Sequence, residues 1–474
     1  MRAYKKYILG GILLLAATAL TMAQDVRIEI PISNINNKTD FSVTRTVFNT
    51  GSNTRWIDKQ ETPNMWCLNS RFLQENASGA SLPTSVLQWQ LDNIGGQQPT
   101  YHVHDIQPGY KSFSTSPQSW YEPYSNGSKY SSGNVVFKFK IPAAAFENNI
   151  FQPGEYKLTI NHNYENYFTP NSFNIILVVP YTQPIQWLSN MPTKTHEITS
   201  LNQFRSGGTR TFDAIGAAEI SNTINFNLWA QTASSSIKYT SSNGVEATRE
   251  VSLLKLGSTY PKVITAPLSA NWKNHTPNNP FLVVAGRKHN FDLQFSISES
   301  DFRNHFFNAG IYNFQINLDA KSTTSNDSDI HKTDVSIKVL PLSEITIPMP
   351  GNEVSLEFNT ATDYQHGKSR IISNQIQLSN NETYELYVKS EFPYFNKSGI
   401  QSDVPSRILQ IGVDGDVHKV TLSQTSQLII SNGTPVLDKN LNMMYTISAS
   451  AAQTLLSKEK ATYSINVIYS FTAL

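Results

Sequence analysis

From Phe137 the chain reads FKFKIPAAAFENNIFQPGEYKLTI to Ile160, and from Leu293 it reads LQFSISESDFRNHFFNAGIYNFQI to Ile316. The two stretches align without a gap at a constant offset of 156 residues, Phe302 against Phe146 (302 − 146) and Tyr312 against Tyr156 (312 − 156). Phe137, Phe139 and Ile141 alternate with lysines, the period-2 pattern of a half-buried strand. Pro153 and Gly154 mark a turn, because glycine enters positive φ without a steric cost. Beyond the turn, Tyr156, Leu158 and Ile160 share one face of a second strand. A degraded third copy runs from Ala461 to Phe471 as ATYSINVIYSF, with Tyr463 in the place of Tyr156 and Tyr312.

Each full copy is followed by one more apolar run. Phe173 to Val179 ends at Pro180, and Val335 to Val339 ends before Pro341. These equivalent exits divide the mature chain into 24–181, 182–342 and 343–474. Both joints are short and carry proline, which predicts semi-rigid connections. Other period-2 runs fill in the units: Val26, Ile28 and Ile30 in the first, Thr223 to Trp229 in the second, and Val354 to Phe358 and Tyr384 to Val388 in the third. Asp414-Gly415 between two such runs reads as a hairpin turn. After the third tyrosine copy the sequence offers no further apolar run.

The N-terminus reads as a signal peptide, residues 1–23. Arg2, Lys5 and Lys6 precede an apolar stretch from Ile8 to Met22, too short to span a bilayer stably, and Thr21-Met22-Ala23 suits cleavage. No later stretch reaches the roughly 18 apolar residues of a spanning helix. The expected location is therefore outside the cytoplasm, in a periplasm or at a bacterial cell surface. Charged residues make up only 15% of the chain and the net charge is +1, so no basic field exists to hold nucleic acid. A single cysteine, Cys67, excludes an intrachain disulfide and a cysteine metal cluster.

A tyrosine heading the penultimate strand, just after a tight glycine turn, resembles the tyrosine corner of immunoglobulin-like sandwiches. Gly154 with Tyr156, Gly310 with Tyr312, and Tyr463 carry the resemblance. It implies an all-β chain of three tandem immunoglobulin-like β-sandwich domains, each ring packed on its core and each hydroxyl bonded to upstream backbone. The third unit also resembles pilin-like domains of the spore coat protein U and chaperone–usher type, through Leu356-Glu-Phe358, Tyr384-Glu-Leu386 and Ala461-Thr-Tyr463 to Phe471. It departs from them in lacking their paired cysteines. This second resemblance covers 343–474 and implies a sheet edge completed by a strand donated by another protein. The residues alone favour a complete third sandwich, paired differently, over an open edge.

No pattern of nucleophile, base or phosphate loop occurs, and no cofactor is called for. His102 and His104 would project from one face of a strand, but no third ligand is identifiable, so no metal is assigned. Asp414 and Asp416 belong to the hairpin turn rather than to a calcium loop. Cys67 sits in an apolar run with no basic neighbour and reads as an inert thiol. The best ligand candidates are rings in a long loop among Gly, Ser and Asn: Tyr101, Tyr110, Trp120, Tyr121, Tyr124 and Tyr130. Exposed rings stack on sugar faces, which would make a glycan the ligand; the competing reading is a satellite core. Taken together, the expectation is a secreted, non-enzymatic adhesion or pilus-like structural protein, or alternatively a secreted carbohydrate-binding protein for polysaccharide capture.

Overall fold

The computed structural model describes residues 24–473 apart from 51–54, 58–63, 75–79, 95–108, 121–128, 131–132, 164–169, 191 and 350. The signal segment thus lies outside the described residues. Buried apolar side chains gather into three clusters, one drawn from residues 26–179, one from 185–339 and one from 376–452. Each cluster is sandwiched between strands, so the chain is all-β and built as three successive β-sandwich units.

The first two units share one topology. In each, a strand headed by the corner tyrosine is internal to its sheet: Gly154–His162 in the first, Gly310–Ser322 in the second. On one side this corner strand pairs antiparallel with a closing strand, Ser172–Val179 or Ser328–Val339. On the other it pairs with a strand from earlier in the unit, Asn64–Cys67 or Phe226–Thr232. The closing strand is in turn flanked by a parallel strand, Gln24–Glu29 or Lys194–Ile198. Alternation does what it predicts: Val26, Ile28, Leu158, Ile160, Ile316 and Ile337 are all buried.

Two short helices cap one end of each unit. The first helix is Ile32–Asn37, Asn202–Arg205 or Ala361–His366. The second is Ala143–Asn148, Glu299–His305 or Ala449–Thr454. Both second helices after the first unit start on a serine cap: Ser298 accepts from the Asp301 N–H, and Ser448 from the Ala451 N–H.

The units abut directly. The closing strand of the second unit ends at Val339, and the first strand of the third, Ser343–Thr346, begins after only Leu340, Pro341 and Leu342. Asn381 holds that crossing: its Nδ2 donates to the Leu340 carbonyl at 2.9 Å, and its Oδ1 accepts from the Leu342 N–H at 2.7 Å. Leu342 of this link and Leu437 of the third unit pack against the second unit's core.

Candidate functional site

The three corner tyrosines share one geometry. The Tyr156 hydroxyl donates to the Gln152 carbonyl at 3.0 Å and accepts from the Gln152 N–H at 3.1 Å. Tyr312 donates to the Asn308 carbonyl at 3.1 Å, and Tyr463 to the Glu459 carbonyl at 2.9 Å. Each hydroxyl therefore reaches back four residues across the turn. Gly154 and Gly310 hold φ of +136° and +145°, a region side chains rarely enter. A Cβ at Gly310 would also strike the backbone carbonyl of Thr240. Ala461 stands in the equivalent place without positive φ.

Around this shared corner the third unit differs from the other two. Its corner strand is broken into Tyr463–Ser464 and Val467–Ala473. The first piece pairs only with Tyr394–Lys397 and the second only with Tyr384–Ser390, so both lie at sheet edges. No closing strand pairs with them among the described residues. The counterpart of the parallel strand, Val354 to Phe358, keeps an alternating burial pattern but enters no ladder, which corrects its reading as a strand. Its backbone is tied instead to the opposite sheet: Arg370 donates to the Ser355 carbonyl at 3.0 Å and Lys368 to the Glu357 carbonyl at 2.6 Å.

Burial records the same difference. Tyr156 and Tyr312 are 0% exposed, as are Leu158, Ile160 and Ile316. In the third unit Tyr463, Ile465, Val467, Tyr469 and Phe471 are only partly buried against the core. On the other side of the opening, Val354, Leu356 and Phe358 are partly buried too. Two apolar rows thus flank the place that a closing strand occupies in the first two units. An unpaired edge of N–H and C=O groups beside apolar rows is a template for an added strand.

The ring-rich loop resolves differently from its sequence reading. Trp120 is 1% exposed, stacks on Phe48 at 4.9 Å and meets Phe137 edge-on at 5.6 Å. It is a core residue of the first unit, not a surface ring, because the strand just before it, Gln118–Ser119, pairs onto the corner sheet and carries the indole inward. Tyr110 is half-buried, with the Lys140 ammonium 5.7 Å from its ring centre. Tyr101, Tyr121, Tyr124, the side chain of Tyr130, and the His102–His104 pair fall outside the described residues. Cys67 is buried, and burial pushes its thiol up, away from a reactive thiolate.

Among the described residues no three His, Cys, Asp or Glu side chains come together as a metal site, and no helix is long and apolar enough to cross a membrane. A shallow cleft of about 480 Å³ opens in the second unit, lined by Thr232, Ser234, Lys238, Asn313 and Gln315 among others. It lies where the corner strand exchanges one partner strand for another, and its only charged pair, Lys238 with Glu246 at 2.7 Å, is exposed.

No family model matches the chain, and no curated protein matches it. Solved structures do resemble it. One is CfaE, the adhesive subunit of the CFA/I fimbria of enterotoxigenic Escherichia coli: 12% identity over 67% of this chain and 98% of that one, TM-score 0.26. Another is the CsuC–CsuE chaperone–tip adhesion subunit complex of the archaic chaperone-usher Csu pili of Acinetobacter baumannii: 12% identity, 60% of this chain and 99% of that one, TM-score 0.27. A third, the CooA pilin subunit of enterotoxigenic E. coli, covers 33% of this chain and 99% of its own at 11% identity and a TM-score of 0.24.

Proposed function

We propose that the chain is an exported, non-enzymatic structural or adhesive subunit of a bacterial surface assembly, and that its third unit is completed by a β-strand from another protein. One observation carries this: a corner strand that is internal to its sheet in two units is an unpaired edge in the third, with its inward side chains left half-buried. The division into 24–181, 182–342 and 343–474 and the export of the chain are part of the same reading. The second unit supplies the pattern for such a strand. Thr333, Val335, Ile337 and Val339 alternate inward opposite Ile316, Phe314, Tyr312 and Gly310. Opposite Val467, Ile465, Tyr463 and Ala461 the same spacing of small and branched apolar residues would fill the third unit.

The test adds a synthetic peptide of residues 328–340 to the full chain and follows amide hydrogen exchange and thermal unfolding. Protection should rise at 463–473, and the third unit should melt higher with peptide concentration, as binding to the folded state requires. A peptide carrying Val335→Asp and Ile337→Asp should do neither. Unchanged exchange at 463–473 with the native peptide would overturn the proposal.

A further inference from the structure

The joints between units repeat a bonding scheme, and the third unit carries one half of it unused. At the first joint, Asn36 follows the buried Ile35 of the first helix. Its Nδ2 donates to Gln186 Oε1 at 2.6 Å, and its Oδ1 accepts from the Ser221 hydroxyl at 3.0 Å. At the second joint, Arg205 follows the buried Phe204. It donates to Glu344 at 2.8 Å and to the Ser379 hydroxyl at 3.2 Å, and a fork of Nε and Nη2 holds Asp438 at 3.0 and 2.8 Å. The receiving positions are equivalent: Glu344 lies 158 residues beyond Gln186 (344 − 186), and Ser379 lies 158 beyond Ser221 (379 − 221). Backbone follows suit, with Thr223 N–H bonded to the Pro184 carbonyl and Asn381 N–H to the Leu342 carbonyl. Each unit thus extends a helix residue to the hydroxyl and polar side chain that open the next unit.

In the third unit the corresponding helix is Ala361–His366. Tyr364 lies against Phe358 with ring centres 5.3 Å apart but is only half-buried, whereas Phe204 and Ile35 are buried in the cores of their own units. The residue after it is Gln365, whose side chain is exposed and makes no hydrogen bond to another side chain or carbonyl among the described residues. The second helix supports the first within the same unit. Arg303, five residues past the cap Ser298, braces the first helix by donating to the carbonyls of Phe204 and Arg205. Gln453, five past the cap Ser448, is exposed. Two apolar side chains stand bare at the same end: Leu456, 66% exposed, and Ile400, 75% exposed, on the hairpin whose counterpart in the second unit touches the third through Ser242 and Glu382.

We propose that this helix end of the third unit is a docking face for a further β-sandwich module, gripped through Gln365 as the second unit grips the third through Arg205. The inference rests on the strand-acceptor reading and specifies the partner. A strand seated as Ser328–Val339 is seated exits beside the helices, so the module it belongs to must begin its first strand within a few residues, as Ser343 does after Val339. The strand that pairs with the module's first strand, the counterpart of those bearing Ser221 and Ser379, has to end on a hydroxyl beside a neutral side chain. A carboxamide donates and accepts, and meets such a pair as Asn36 meets Ser221 and Gln186, whereas the guanidinium of Arg205 calls for carboxylates.

The test places a photoreactive phenylalanine analogue in the full chain, in the cells that export it, at residue 365, at residue 468 on the open edge, and at the fully exposed residue 417 as a control. Cross-linked peptides are sequenced. Positions 468 and 365 should join one and the same polypeptide, the first at its N-terminal strand and the second at a Ser- or Thr-bearing strand end within its first sandwich, and 417 should join nothing. Capture at 468 with none at 365, or capture at 365 of a different polypeptide or a segment away from a strand end, overturns the docking face and leaves the strand acceptor standing. Absence of capture at 468 removes the strand acceptor and the docking face with it.

Discussion

The corner tyrosines are worth more through burial than through their hydrogen bonds. A neutral hydroxyl-to-carbonyl bond contributes about 1 kcal/mol net, while the ring removes a large apolar area from water. Burial pushes the Tyr156 hydroxyl up to about 12 from its ordinary 10.0. The folded state therefore keeps this proton longer than the unfolded chain does. Its contribution is whole below pH 10 and is lost as pH rises through about 12. Alkaline unfolding of the first unit, followed by urea titration, should steepen across that window, and Tyr156→Phe should remove the slope. Gly310 is the more brittle position. Gly310→Ala combines a forced φ of +145° with a collision against Thr240, so a loss of at least about 1–3 kcal/mol is expected in urea unfolding of the second unit. The glycine and tyrosine were legible because a turn at fixed spacing before an alternating strand leaves a mark in sequence. Trp120 was not: a ring in a Gly- and Ser-rich loop reads the same whether it points out or in, and only the pairing of Gln118–Ser119 turns it inward.

At the scale of the element, period-2 alternation located most strands, because one face of each is buried and the other is wet. It misplaced Val354–Phe358, whose alternation is intact although its ladder partner is missing; the pattern reports a half-buried face, not a hydrogen-bonded neighbour. The short helices left weaker marks. Ala143–Asn148 and Glu299–His305 span six and seven residues, too few to show a helical period, though Ser298 with Asp301 in the first turn is a cap signature. The open edge makes a graded prediction. Ile316→Ala should cost about 2–5 kcal/mol, the usual range for emptying a buried site. Val467→Ala, at the equivalent position in the third unit, should cost clearly less, since water already reaches that side chain. Adding the closing-strand peptide should bring the two costs closer, and thermal melts of the four samples decide it.

Across the whole molecule, three cores and two joints behave as separate things. The Arg205 side chain spends its bonds across the joint, on Glu344, Ser379 and Asp438, so Arg205→Ala should leave the melting of the units almost unchanged. It should broaden the angle between the second and third, visible as a larger spread of dimensions in small-angle scattering. Arg205 also holds the Asp438 carboxyl below its ordinary range by hydrogen bonding. That stabilisation is present above the ordinary carboxylate pKa of 3.8 and is lost as pH falls below it, so the wild-type joint should loosen in acid while the variant shows no such change. The joints were illegible in the sequence, since Asn36 and Arg205 share no chemistry until the strands they reach are laid side by side.

The direct run from Ser328–Val339 through Leu340 into the third unit also sets how the chain bears tension. A pull between the two units acts along the axis of that strand, from its Val339 end. The strand is held by twelve antiparallel pairs, from Gly310 with Val339 to Lys321 with Ser328, and by a parallel strand on its other flank. Loaded in shear, those rungs share the force and must fail together rather than unzip one by one. Mechanical lifetime is then set by the rate of that single concerted rupture and not by equilibrium stability. A strand seated in the third unit's open edge would carry load in the same direction, so an assembly of such subunits would resist flow as a chain of shear-loaded clasps.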